Sequence, residues 1–212
     1  MTKKNIKIVC GFAVLAFVVL KFFGLELWNA LSYAVSAAAV FDFAYDCLLW
    51  RFIPFEKTPR LYGTYDCLFI SNYNGGTLQS SEVIINQTLS EISISENAKN
   101  GSSIAITAEL VKNPRFSDPW ELYYTYKTHP YDSNGHDDEH HGTAILNVQL
   151  LDRLKKTGWR NKIFPLNKAD KLIGTYFTNR REPTRGRLIM MRRQNPNIPC
   201  PINPKDYLGE NE

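Results

Sequence analysis

The sequence lacks the marks of a catalyst and of a cross-linked scaffold. Its four cysteines, Cys10, Cys47, Cys67 and Cys200, are scattered, and two of them sit in apolar sequence near the N-terminus. That excludes a disulfide framework and fits a reducing compartment. No paired-cysteine zinc motif, phosphate loop, dinucleotide fingerprint or nucleophile elbow occurs. No catalytic residue, cofactor or metal ion is therefore expected. His136-Asp137-Asp138-Glu139-His140-His141 holds metal-ligand types, but its spacing fits no compact helical motif, and it reads as a solvated hairpin loop. The composition of disorder is also missing, since 44% of residues are hydrophobic and 13% aromatic.

Charge is absent from two stretches, residues 8–20 and 27–41. The mean hydropathy of −0.29 thus averages an apolar head and a polar body. Residues 1–57 hold 6 basic and 4 acidic side chains, and the remainder holds 19 and 17. Residues 6–25 suffice for about 30 Å of helix, the thickness of a bilayer core. A second apolar segment, 27–50, follows after the short link Gly24-Leu25-Glu26. No small-x-small cleavage site lies at Lys21-Phe22-Phe23-Gly24-Leu25, so an antiparallel pair of spans is expected rather than a cleaved leader. Lys3, Lys4 and Lys7 flank the entry, Arg51, Lys57 and Arg60 the exit, and the turn carries only Lys21 and Glu26. The positive-inside rule then places both termini in the cytoplasm. The alternative is a buried hairpin of a soluble protein.

Ala30, Ala34, Ala38, Asp42 and Asp46 recur every four residues and share one helix face. Small residues at that spacing let membrane helices approach closely. Carboxylates at membrane depth are costly and face protein or water. Two readings stay open: Asp46 lies near the interface and pairs with Lys7, or this face packs against further copies as a polar assembly seam.

Pro54 and Pro59 punctuate a linker over 52–60. Beyond it, period-two patterns predict strands near 61–71, 81–87, 90–96, 101–110, 120–127, 141–151, 171–179 and 184–193. Eight strands with mostly hairpin-length connections predict a compact antiparallel up-and-down β-barrel over 58–193, with a sandwich as the alternative. An eight-stranded barrel is wide enough for one small ligand. The strands lack an outward apolar band with aromatic girdles, which argues against a membrane-spanning barrel. Residues 194–212, with Pro196, Pro199, Pro201 and Pro204, predict an irregular tail.

Within the body, residues 58–152 hold 5 basic and 12 acidic side chains, whereas 153–193 hold 13 basic and 2 acidic. Arg153 to Lys162 form a basic connection suited to lipid headgroups. Arg180, Arg181, Arg185, Arg187, Arg192 and Arg193 lie in or beside the last two strands. Arginine forks match phosphate oxygens, although surface arginines on strands are commonly a solvated face.

The order of motifs completes the reading. Two short spans precede Gly63-Thr64-Tyr65, Ile85-Asn86-Gln87-Thr88 and Glu91-Ile92-Ser93-Ile94-Ser95. Gly101-Ser102-Ser103, Leu122-Tyr123-Tyr124-Thr125-Tyr126 and His140-His141-Gly142-Thr143-Ala144 follow. Gly174-Thr175-Tyr176-Phe177-Thr178-Asn179-Arg180 and Thr184-Arg185-Gly186 close the series. Over about residues 6–193 this resembles the membrane-anchored, two-transmembrane, β-strand-rich effectors of bacterial CBASS antiphage systems.

The resemblance implies that a nucleotidyltransferase supplies a cyclic dinucleotide and that the cytoplasmic barrel binds it. The chain then assembles as a homo-oligomer and disrupts the inner membrane. The implied partners are that nucleotide, the lipid bilayer and further copies, with no DNA or RNA polymer. Positions matching the family motifs imply stacking by Tyr126 and Tyr176, and phosphate or ribose contacts by Thr178, Arg180 and Arg185. They also imply base-edge contacts by Gln87, Thr88, Ser102, Ser103 and His140. The implied assembly would favour the packing stripe of the second span, with Ala34, Ala38, Asp42 and Asp46. The competing expectations are a membrane-tethered barrel for a lipid or small hydrophobe, and a structural membrane subunit that docks a partner protein.

Overall fold

The computed structural model describes residues 3–53, 56–72, 78–115, 119–131, 139–150, 167–180, 183–195, 198–199 and 202. The expectations for residues 136–138, for the basic connection at 153–162, for Arg181 and for most of the tail lie outside the described residues. The chain divides into two compact units, Met1–Glu56 with Thr88–Ser90, and Lys57–Gln87 with Glu91–Glu212.

The first unit holds α1 (Lys3–Phe22), α2 (Leu27–Cys47) and a short 3-10 turn (Leu49–Arg51). Gly24, at a positive φ of 81°, lies in the link between the helices, a backbone shape that side chains disfavour. α1 and α2 pack together, with Phe12 stacked on Phe41 at 4.2 Å. α2 buries Ala30, Ala34, Ala38 and Tyr45, which share the face that carries Phe41. Val14, Leu15, Val18, Val35, Val40 and Phe43 stay exposed. Among the described residues one helix, α2, is long and apolar enough to cross a bilayer.

The second unit is a closed antiparallel barrel of eight strands in sequence order. These are β1 (Gly63–Ser71), β2 (Leu78–Gln87), β3 (Ile92–Ala98), β4 (Gly101–Lys112), β5 (Trp120–Pro130), β6 (His140–Leu150), β7 (Ala169–Thr178) and β8 (Arg185–Arg192). β1 closes on β8 from Tyr65↔Arg192 to Ser71↔Gly186. Closure leaves no unpaired sheet edge. Because side chains alternate across a strand, each strand sends every second residue inward. The interior is filled by Tyr65 and Cys67, Val83 and Ile85, Leu122 and Tyr124, Ala144 and Leu146, Leu172, and Leu188 and Met190. Irregularities at Ala105/Thr107 and at Gln149/Leu150 shift the register once in β4–β5 and once in β6–β7. Such bulges bend strands locally, as a small closed sheet requires.

The two ends of the barrel differ. At the end where β1 begins and β8 finishes, the chain folds under itself. Arg192 is buried, and its guanidinium donates to the carbonyls of Ala169, Tyr62 and Arg60 and to the Tyr65 hydroxyl. Gln87 accepts from the Leu61 amide at 2.6 Å and donates to the Pro59 carbonyl at 3.0 Å. Arg60 pairs with the start of β7, donating its N–H to Asn167 and accepting from Ala169. These bonds plug that end with satisfied polar groups, as buried backbone demands. The opposite end, where β1, β3, β5 and β7 finish and β2, β4, β6 and β8 begin, opens into a cavity.

Replacing Arg192 with Leu strips several buried acceptors of a charged donor. The expected cost is about 2–4 kcal/mol, given that hydrogen bonds to charged groups are worth roughly 1.5–3 kcal/mol each and act together here. A thermal unfolding scan of the full chain in detergent checks this, and an unchanged melting temperature contradicts the plug.

Candidate functional site

The open end encloses a cavity of about 350 Å³, at the low end of the roughly 300–1,000 Å³ common for ligand pockets. Tyr126 from β5 and Tyr176 from β7 line its wall on either side of β6, with Phe69 from β1 set edge-on to Tyr176 at 5.6 Å. Ser103, Thr128, His140 and Thr178 add polar groups, Arg180 and Thr184 come from the β7–β8 connection, and Glu96 from β3 completes the set.

Two glycines make room for the two tyrosines. Gly142 sits opposite Tyr126 on β6, and Gly186 opposite Tyr176 on β8. A Cβ on Gly142 would overlap the Tyr126 ring. A Cβ on Gly186 would overlap the Ile70 carbonyl and crowd the Tyr176 ring. Each ring therefore lies across a glycine of the neighbouring strand.

Among the described residues that line the cavity, Arg180 and Glu96 are the basic and acidic side chains. Arg180 donates from Nε to His140 Nε2 at 3.2 Å. Burial pushes the Glu96 carboxyl up to about 7, with the Ser81 and Ser103 hydroxyls pulling the other way. Burial and the Glu96 charge push Tyr126 up as well, while Arg180 pulls it down. Burial likewise raises Tyr124 and Tyr176, so the tyrosines stay neutral. Thr178 and Thr184 share a hydroxyl bond of 2.6 Å that pins the β7–β8 connection, and Ser103 and Thr128 share one of 2.9 Å across β4 and β5.

Six residues singled out from the sequence converge here: Tyr126, Tyr176, Thr178, Arg180, Ser103 and His140. Four do not line the cavity. Gln87 is buried at the plugged end, holding residues 59 and 61. Thr88 stands in the β2–β3 connection beside Ser90. Ser102 alternates outward between the inward Gly101 and Ser103. Arg185 is exposed, and its amide is held by the Asn72 side chain. Two other arginines of the basic stretch are accounted for elsewhere: Arg192 in the plug, and Arg193 in ion pairs with Asp66 and Glu82.

Glu96 did not figure among the expected site residues, yet its signal was present. The alternation that points Ile92 and Ile94 inward places Glu96 inward too, a charge in an apolar register. Phe69 and Gln79 also line the cavity, and nothing in their sequence surroundings distinguished them from ordinary strand residues.

In the first unit, the alanines of the small-residue stripe are already buried within the hairpin, on the α2 face that carries Phe41. Asp42 and Asp46 are half-buried. Asp46 accepts the Ser90 hydroxyl at 2.9 Å, and its own carbonyl accepts the Leu89 amide.

The family model described as "Cap15, cyclic dinucleotide receptor domain" matches residues 56–192. That interval contains all eight strands and leaves α1 and α2 outside it. A curated relative, CD-NTase-associated protein 15 of Staphylococcus schleiferi, is 26% identical over 133 residues, covering 59% of this chain and 71% of its own length.

Gly142→Ala and Gly186→Ala each force a tyrosine out of the cavity wall. Overpacking of this kind costs about 1–3 kcal/mol. Near-ultraviolet circular dichroism of the full chain should change for both variants, and spectra identical to wild type would contradict the glycine–tyrosine arrangement.

Proposed function

The chain belongs to the Cap15 cyclic dinucleotide receptor family, and we propose from this premise that the cavity at the open end of its barrel binds a cyclic dinucleotide. The observation that carries the reading is the meeting of two neutral tyrosine rings and one arginine in a single cavity. A cyclic dinucleotide has two flat bases and two phosphates. Tyrosine rings stack on bases, an interaction worth about 1–3 kcal/mol per base. Arginine meets phosphate oxygens through charge-assisted hydrogen bonds. Thr128, Ser103 and His140 supply donors and acceptors for base edges or ribose. This makes the chain a CBASS effector whose messenger comes from a nucleotidyltransferase. A lipid-binding barrel would be expected to carry an apolar lining, whereas this cavity has an arginine, a glutamate and several hydroxyls.

The further steps belong to the same proposal. α1 and α2 anchor the chain in the inner membrane as two spans, with both termini on the cytoplasmic side where the messenger is made. Ligand binding favours an assembly-competent state, which requires that the nucleotide prefer it. Assembly then brings hairpins together and disrupts the bilayer. Because the alanines are buried within the hairpin, the carboxylates Asp42 and Asp46 are the polar groups of the stripe left to line a seam between copies.

Arg180→Ala should weaken cyclic dinucleotide binding about 10- to 100-fold, the equivalent of a charge-assisted hydrogen bond of roughly 1.5–3 kcal/mol. Tyr126→Ala should do so to a similar extent through lost stacking. Titration calorimetry of the full chain in detergent measures both; wild-type affinity in the two variants removes the site assignment, and a response to fatty acids without any to nucleotides favours the lipid reading. Asp42→Leu combined with Asp46→Leu should abolish nucleotide-triggered leakage of liposomes that carry the protein, while nucleotide affinity persists. Unchanged leakage contradicts the seam.

A further inference from the structure

The cavity has a cation at one place and a carboxyl at another. Arg180 belongs to the β7–β8 connection at the mouth, whereas Glu96 lies inside β3, opposite Val83 on β2 and Ser103 on β4. The two charges bear oppositely on both rings, the Glu96 charge raising and the Arg180 charge lowering the pKa of Tyr126 and of Tyr176. A dianionic ring gains most with its phosphates toward Arg180, the cation among the described lining residues, which leaves a base toward Glu96. The reverse orientation would take the phosphates away from that cation and set them beside a carboxyl.

We propose that Glu96 reads that base as a neutral carboxylic acid, giving a hydrogen bond to a ring nitrogen and accepting one from the adjacent exocyclic amine. This rests on the reading of the cavity as the nucleotide site and adds a class of base and a proton taken up on binding. A protonated carboxyl has one donor and one acceptor side by side, as a glutamine amide does. The amide pairs in this way with adenine, whose amine stands next to a ring nitrogen. An ionised carboxylate only accepts, and it suits an edge with two neighbouring donors, as in guanine.

The surroundings decide between the two forms. The ionisable side chains that act with Glu96 are the Cys67 thiol from β1, Tyr124 and Tyr126 from β5, and Tyr176 from β7, all neutral and each pushed up partly by the Glu96 charge. Ser81 and Ser103 favour its charged form, but burial outweighs them and leaves the carboxyl at about 7. Arg180 and His140 line the same cavity and bond each other. A bound dianion removes more water and adds negative charge, and both effects disfavour a second anion beside it. Each therefore moves Glu96 toward its neutral form.

The sign follows by linkage. Glu96 is neutral below about pH 7 in the empty cavity and must gain a proton to bind above it. Affinity is flat below that pH and falls about tenfold per unit above it.

The test uses the full chain in detergent and rings carrying two, one or no adenine: cyclic di-AMP, the mixed adenine–guanine and adenine–uracil rings, cyclic di-GMP and cyclic di-UMP. Calorimetry at pH 6 and pH 8, in buffers of different ionisation heat, should show an adenine-bearing ring binding tightest and taking up about one proton at pH 8. Glu96→Gln should remove the pH dependence and bind about tenfold tighter than wild type at pH 8, because the amide copies the neutral acid at every pH. Glu96→Ala should lose affinity at both pH values. A best ligand without adenine, no proton uptake, or a pH dependence that survives in Glu96→Gln and so belongs to His140 or another group overturns the inference while leaving the nucleotide reading intact. Binding by none of the rings overturns that reading itself.

Discussion

Everything in the second unit depends on the closure of β1 onto β8. A sheet of eight antiparallel strands has a fixed and narrow interior once it closes, and strand alternation commits half of each strand to filling it. Here the filling is uneven. Aliphatic side chains and the Arg192 plug occupy one end, and polar and aromatic side chains stand apart at the other. The cavity is the space that closure leaves when the core stops short of the rim. Tyr126 and Tyr176 stand on strands, so they are held by the same hydrogen-bond ladder that holds the barrel. Gly142 and Gly186 belong to that logic, because a ring can lie flat along the wall only where the neighbouring strand has no side chain.

The distribution of arginine shows why charge counts alone do not locate a site. The sequence concentrates basic residues late in the chain, but the described ones have different tasks. Arg192 is buried and ties down backbone carbonyls, Arg193 neutralises Asp66 and Glu82 on the outside, and Arg180 enters the cavity. A stretch that reads as one basic patch is divided among structure, surface and site by the alternation of β8 and the turn before it. Glu96 is the counterpart. One acidic residue among many becomes decisive because its register points it inward.

The architecture was largely legible in the sequence. Alternation in Ile92-Ser93-Ile94-Ser95 and in Leu122-Tyr123-Tyr124-Thr125-Tyr126 located strands, and short turn-rich segments between most of them implied antiparallel neighbours and hence an up-and-down barrel. Tyr126, Tyr176 and Arg180, named from the motif order, line the cavity. The four positions that lie away from the cavity show what the motifs leave open. Gln87, Thr88, Ser102 and Arg185 lie in the same motifs as cavity residues, but motif membership does not tell which end of a strand or which face a residue occupies. Gln87 points inward at the plugged end, and Ser102 and Arg185 point outward. Parity would have removed the last two and admitted Glu96. Phe69 and Gln79 required the register between strands, which one sequence does not contain. In the first unit the four-residue stripe was legible, but its partner was not: the alanines are buried inside the hairpin itself.

The central claim is that the open end of the barrel holds the nucleotide, and covalent mapping tests it most directly. A cyclic dinucleotide carrying a photoreactive azido group on each base, irradiated with the full chain in detergent and followed by peptide mass spectrometry, should label Tyr126, Tyr176 or their immediate neighbours on β5 and β7. Excess unmodified nucleotide should suppress that labelling. Competed labelling confined to the outer surface of the barrel or to the residues around Gln87 and Arg192 would contradict the account.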